Sequence, residues 1–349
     1  MKRLLVWFVL LMCLCMGAKA ETMVIGGSKE DAVMDIAVGD DGRVVLAGYT
    51  ASSDGTLSDR SKSGRSGWVA CYDAQGNLLW NFCSRHDAQD MMRHPVIHED
   101  GTISVILISV NSVHEQVGEE WIHLSAEGNV IEREQIPGSG GVLFFVSDRG
   151  YIQAETGETE RRFYLIEWGG VTRKPIHVAC DASTQIEEVS GTYFIAESFD
   201  MGKMLFAMDE ALGATQWKER AVVPEERVYR RILALRDGTL AAIGYEGAGF
   251  SAKRVFTRWD AAGNVLADVP YEADMPRFMD ETEDGIVTLN TDGDLIWLDC
   301  NGQVRWRKRT EMSMANAMAA APGGRIIAAD DRGKDAGQDV YLHTQQLPQ

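Results

Sequence analysis

Short β-forming runs separated by tight turns dominate the chain. The clearest is 67–80, GWVACYDAQGNLLW. Residues 68–72 and 78–82 are rich in β-formers, and Asp73-Ala74-Gln75-Gly76-Asn77 lies between them. An Asp side chain accepts hydrogen bonds from the backbone just ahead of it, and Gly takes φ > 0 without a Cβ clash, so this segment predicts a reversal. Weaker copies follow at 121–132, 163–174, 205–217, 256–267 and 295–306. Their turn glycines, Gly76, Gly128, Gly170, Gly213, Gly263 and Gly302, are 52, 42, 43, 50 and 39 residues apart.

A second turn precedes each copy. It falls at Gly42, Gly101, Gly150, Gly191, Gly238, Gly285 and Gly324, and a β-rich run such as RVVLAGYT or TISVILISV follows each one. Four short strands every 40 to 50 residues are the mark of a β-propeller. The expected fold is therefore all-β, a seven-bladed β-propeller with four antiparallel strands per blade. The seventh unit has strands at 315–321, 325–329 and 340–345 but lacks a fourth. Thr22-Met23-Val24-Ile25, ahead of the first unit, has the composition to supply it. Pairing 22–25 with 340–345 would close the ring and leave no bare sheet edge.

Residues 1–20 stand apart. Lys2 and Arg3, an apolar run over 4–16 and Ala18-Lys19-Ala20 form the three parts of a secretory signal peptide, which predicts export from the cytoplasm. The apolar run is short for a membrane span, and no other stretch could form one. Residues 21–349 then form a single domain. The chain carries 34 basic and 52 acidic residues, a net charge of −18, and removing Lys2, Arg3 and Lys19 makes it −21. Such a field repels nucleic acid and anionic membrane. Cys71, Cys83, Cys180 and Cys300 are expected as free or buried thiols. Hairpin register puts Cys71 near Trp80 and Cys83 near Trp68, and a core of this size needs no staples.

The run IGGSKEDAVMDIAVGDDGRVVLAGYTASSDG followed by GWVACYDAQGNLLW resembles the bacterial extracytoplasmic propeller repeats described as PQQ-like or SBBP-like. The elements that carry the resemblance are a GG-S-x-x-D junction, a strand ending A-G-x-T and a D-x-x-G-x-x-x-W hairpin, all between Gly26 and Trp80. The resemblance implies the propeller fold. It leaves function open, since such repeats serve enzymes, assembly scaffolds and surface adhesins.

Motifs for chemistry are sparse. No G-x-S-x-G nucleophile turn and no H-E-x-x-H occurs, and no carboxylate set suits a calcium-held quinone, so no cofactor or metal is expected. His94 and His98 are about 13 Å apart along a strand, too far to share one metal. Asp40-Asp41-Gly42 and Asp292-Gly293-Asp294 read as turns. Trp80, Trp217 and Trp306 recur at one position and read as indoles docked between blades.

One count is more specific. Eight residues before each first-turn glycine stand Met34, Arg93, Val142, Ser183, Arg230, Arg277 and Asn316. Eleven before stand Asp31, Asp90 and Asp274 in three units. Arg93, Arg230 and Arg277 are thus candidates for an anion-accepting mouth of the central channel, because guanidinium pairs in parallel with carboxylate or phosphate. The alternative is Arg–Asp pairing that holds neighbouring blades together. The sequence points to a secreted, monomeric, non-catalytic propeller binding a protein or a glycan at the cell envelope. An envelope assembly scaffold and an enzyme with a site spread over the loop face are the alternatives.

Overall fold

The computed structural model describes residues 21–55, 64–84, 89–110, 116–136, 142–146, 150–156, 161–167, 174–178, 184–189, 192–197, 204–209, 217–219, 227–247, 252–260, 262–312, 315–330, 333–334 and 337–348. Among the described residues the strands join into seven four-stranded antiparallel sheets and one two-stranded ribbon, Gly333–Lys334 with Gly337–Gln338. Sheet one holds Asp31–Val38, Val44–Thr50, Ser66–Tyr72 and Leu78–Cys83. Sheet two holds Gln89–Ile97, Ile103–Val110, Gln116–Leu124 and Val130–Gln135. Sheets three and four span 142–178 and 184–219. Sheet five holds Arg227–Ala234, Leu240–Glu246, Lys253–Trp259 and Val265–Pro270, and sheet six Pro276–Thr282, Gly285–Asn290, Asp294–Leu298 and Val304–Arg309. In sheet seven Ala315–Ala321, Arg325–Asp330 and Val340–Gln346 are followed by the N-terminal strand Glu21–Ile25. The first strand of each sheet lies beside the first strand of the next, and that of sheet seven lies beside that of sheet one.

The turns form for the reason the sequence suggested. Asp73 Oδ1 accepts the N–H groups of Gln75 and Asn77 at 2.9 and 2.8 Å, and Gly76 sits at φ +86°. Asp260 and Asp299 make the same bonds in sheets five and six. A register shift beside each of these turns marks the bulge that lets so short a loop match the strand twist.

Neighbouring sheets are joined by apolar layers. Leu46, Trp68 and Ala70 of sheet one face Ile327, Ala329 and Val340 of sheet seven, while Val45, Val69 and Cys71 face Met92, Val105 and Ile122 of sheet two. Consecutive residues of a strand point to opposite sides, so a sheet covered on both faces needs an unbroken apolar run. That accounts for VVLAGYT and SGWVACY, and for the polar, exposed fourth strand VIEREQ. Cys71 pairs across the hairpin with Trp80 and Cys83 with Trp68, as expected, and Cys71, Cys83 and Cys300 are free thiols. Burial pushes the Cys71 thiol up to about 11. Cys180 lies outside the described residues.

The N-terminal strand runs antiparallel to the last one, from Glu21 opposite Thr344 to Ile25 opposite Val340. Thr22 Oγ1 lies 3.1 Å from Nδ1 of the buried His343, whose Nε2 lies 3.0 Å from Asp330 Oδ2. Arg325 of sheet seven donates to the carbonyls of Ala74 and Gly42, in two turns of sheet one.

A bond of this kind recurs between sheets. The second residue of the turn joining third and fourth strands offers its carbonyl to a donor from the sheet before. Ala126 accepts Trp80 Nε1–H at 2.8 Å, Cys300 accepts Arg258 Nη1–H at 3.2 Å, and Ala74 accepts Arg325. The Trp80 indole lies flush on the same turn, where a Cβ at Gly128 would sit 2.5 Å from the ring. Trp80 is thus docked between sheets, as its repeat position implied. The side chain of Trp217 lies outside the described residues.

Candidate functional site

In sheets one, five, six and seven the count of eight residues picks out a bulge, while in sheet three the counted Val142 stays paired and Phe144 is passed over. Among the described residues the first strand breaks register with the second in sheets one, two, three, five, six and seven. The residue passed over is Met34 in sheet one, Arg230 in sheet five, Arg277 in sheet six and Asn316 in sheet seven. In sheet two the break covers His94 and Pro95, directly after Arg93. A bulged residue leaves the ladder, so its carbonyl and side chain are re-aimed.

Two of the three candidate arginines are brought together, by a fourth. The Arg231 guanidinium donates from Nη1 to the Arg230 carbonyl and from Nε to the Arg277 carbonyl, both at 2.8 Å. It therefore binds two bulge carbonyls from neighbouring sheets. Arg230 is exposed, and the half-buried Arg277 carries its guanidinium 5.4 Å from the Phe278 ring. Burial, together with the charges of Arg277 and Arg230, lowers the Arg231 pKa. Among the described residues neither Arg231 nor Arg277 makes an ion pair with a carboxylate. The result is a concentration of positive charge in a chain of net charge −18.

Arg93 is placed differently. Its Nε donates to Asp35 Oδ2 of sheet one at 2.8 Å, and the His94 N–H reaches the same oxygen at 3.0 Å. This is a pair between sheets, with both side chains about one-third exposed. His94 has φ +53°, a left-handed conformation unusual for a residue with a Cβ. Burial lowers its pKa, the Arg93 charge adds to that, and Asp35 opposes both.

The aspartates counted eleven residues back do other work. Asp31 is fully buried and accepts the hydroxyls of Thr50 and Ser52 and the N–H of Gly27. Asp90 accepts the hydroxyls of Ser84 and Ser109. Each ties the start of a first strand to the end of a second. Asp274 pairs with Arg254. Arg227 takes this position in sheet five, with Asp268 and Glu246 as partners. The Arg–Asp bond between sheets thus comes from Asp35, one residue past the bulge position, and Arg231 stands at the equivalent place in sheet five. Counting by residue type missed this position because its type changes sign between sheets.

A half-buried carboxylate also joins sheets. Asp280 accepts the N–H of Ala320 from sheet seven and that of Glu281, each at 2.7 Å. Burial pushes its carboxyl up from 3.8 to about 6. The folded protein keeps a proton that the unfolded chain releases, so stability falls as pH rises from about 4 to about 6. By linkage the loss is about 2–3 kcal/mol and is complete above that range. Asp280→Asn is expected to flatten this dependence and to match or exceed the parent at pH 8. Thermal melts between pH 4 and pH 8 check it.

The other candidates are turns or lie beyond view. Asn290 Oδ1 accepts the N–H groups of Asp292 and Asp294, and Asp41 Oδ1 accepts that of Arg43, which is turn chemistry. His98 stacks on His123 and bonds Ser104. Among the described residues no group of three or more His, Cys, Asp or Glu could hold a metal, and no helix is long and apolar enough to cross a membrane. Residues 1–20, residues 56–63 of the long connection 50–66, and Ser183 lie outside the described residues.

The sequence matches no protein-family model and no curated protein. Solved structures are similar to it. BamB from Moraxella catarrhalis has a TM-score of 0.45 and 14% identity over 91% of this chain and 84% of that one. TolB from Acinetobacter baumannii has 0.47 and 16% over 78% and 65%. The polysaccharide lyase Uly1 has a TM-score of 0.57 and 10% identity over 93% and 92%. With the all-β sheet pattern, the likeness to Uly1 shows a β-propeller fold.

Proposed function

We propose that the chain is an exported, non-catalytic binding propeller whose central channel accepts an acidic group of a protein or glycan partner at Arg230 and Arg277. The seven sheets are read as blades of one ring, with Glu21–Ile25 as the fourth strand of the last blade. A signal peptide ending at Ala20 abuts that strand, so cleavage would release it to pair. The observation that carries the reading is the meeting of Arg230, Arg231 and Arg277 at two adjacent bulges in an acidic chain. Arg231 is spent on carbonyls, and the half-buried Arg277, which makes no ion pair with a carboxylate among the described residues, offers its guanidinium to a carboxylate or similar anion. Arg93 belongs to the bond between blades.

Titration calorimetry with polygalacturonate, with poly-glutamate and with neutral dextran tests this. Binding of at least one acidic polymer, but not of dextran, is expected. Arg230→Gln with Arg277→Gln should weaken it at least tenfold and leave the melting temperature within a few degrees. Arg93→Gln should lower the melting temperature and leave binding unchanged. Lost stability with unchanged binding in the double variant would end the reading.

A catalytic reading is favoured by one observation, the left-handed His94 beside Arg93 and Asp35, since strained backbone gathers at active sites. The likeness to a polysaccharide lyase suggests the assay, ultraviolet detection of an unsaturated product from a uronate polymer.

A further inference from the structure

The junction between sheets six and seven lacks the recurring turn. The fourth strand of sheet seven is the N-terminal one, so no tight turn leads to it from Gln346. Where the other described junctions place that turn there is a cavity of about 280 Å³, walled by Trp297, Glu283, Asp284 and Leu347. Trp297 holds the place in sheet six that Arg258 holds in sheet five, two residues before the aspartate that opens the turn to the fourth strand, Asp299 and Asp260 respectively. Arg258 donates a hydrogen bond to the Cys300 carbonyl of the next turn. Among the described residues the buried Trp297 Nε1–H has no acceptor. An unmet buried donor is destabilising, so an acceptor brought to it would bind with that advantage.

The walls also state a charge preference. The lining carries two carboxylates and no cation. Arg305, from the fourth strand, lies 5.3 Å from the Trp297 ring and donates to the Asp284 carbonyl at 3.0 Å. A basic group is therefore at home against this wall, by attraction to the indole face and to the acidic turn.

We propose that this junction is a docking slot for an extended segment of a partner protein. A main-chain carbonyl of the segment accepts the Trp297 indole proton, in the role that Ala126, Cys300 and Ala74 play elsewhere. A Lys or Arg of the segment meets Glu283 and Asp284. The slot is independent of the arginine site in the channel and involves no residue of it.

Selection of a random heptapeptide display library on the 21–349 protein tests this. Sequences rich in Lys or Arg should be enriched, and synthetic copies should shift the Trp297 indole N–H resonance. Trp297→Phe should weaken them at least tenfold, as should Glu283→Gln with Asp284→Asn. Glu283 accepts the Gly323 N–H of sheet seven at 2.7 Å, a bond that the Gln amide oxygen can also accept, so the second pair should leave the fold intact even if the first variant does not fold. Three outcomes would each overturn the proposal: no enrichment, enriched peptides that bind both variants as well as the parent, or spermidine binding the slot as tightly as the peptides do.

Discussion

Deleting Glu21–Ile25 is expected to lower the melting temperature by more than any single substitution and to convert the protein to soluble oligomers or aggregate. Five ladder pairs and the buried Ile25 would be lost. Ile25 is 1% exposed and packs with Val340, Leu342 and Trp68. Truncating such a residue to Ala alone costs about 2–5 kcal/mol. The deletion also bares the N–H and C=O groups of Val340–Gln346, an edge that invites pairing with another chain. Thermal melts and size-exclusion chromatography measure both effects. A synthetic peptide spanning 21–27, added in excess, should restore part of the loss. An unchanged melting temperature would refute the role given to this strand.

Gly48→Ala is expected to cost about 3 kcal/mol, at the upper end of what overpacking takes. A Cβ at Gly48 would lie 1.9 Å from the carbonyl oxygen of Ala32 and 2.9 Å from its carbon, both backbone atoms that cannot turn aside. The approach is close because Gly48 faces Val33 at the start of the bulge that passes over Met34. Gly118, a strand glycine with open space around it, serves as the control, and its change to Ala should lie within about 0.5 kcal/mol of the parent. Chemical denaturation compares the two. Equal stability of both variants would remove the close approach at the bulge.

Much of this was legible in the residues. Asp73, Gly76 and Asn77 announce their turn because each is chosen for a local conformation. Thr22 to Ile25 could be matched to its partner because the seventh unit visibly lacked a strand. Arg230 and Arg277 could be found by counting, since turn glycines give each unit an origin. The count could not reveal that those positions are bulges, because an extra residue leaves the period of the next turn unchanged. Nor could it find Arg231 and Asp35, whose shared role lies in reaching the next sheet. Asp in one sheet and Arg in another do not look like one site. Trp297 was hidden for a related reason. Its distinction, among the described residues, is the absence of an acceptor, which depends on how sheets six and seven meet and on no residue near it in sequence.

The residue after the bulge has a consequence for how such a chain can change. Asp35 suits the guanidinium and amide that sheet two presents, and Arg231 suits the carbonyl that sheet six presents. Exchanging sheets one and five would set an acid against a carbonyl and a cation against Arg93. The repeats therefore carry keyed seams, and the order of the sheets is written into those seams. A chain grown by copying one unit would have become intolerant of further copying or shuffling once its seams diverged.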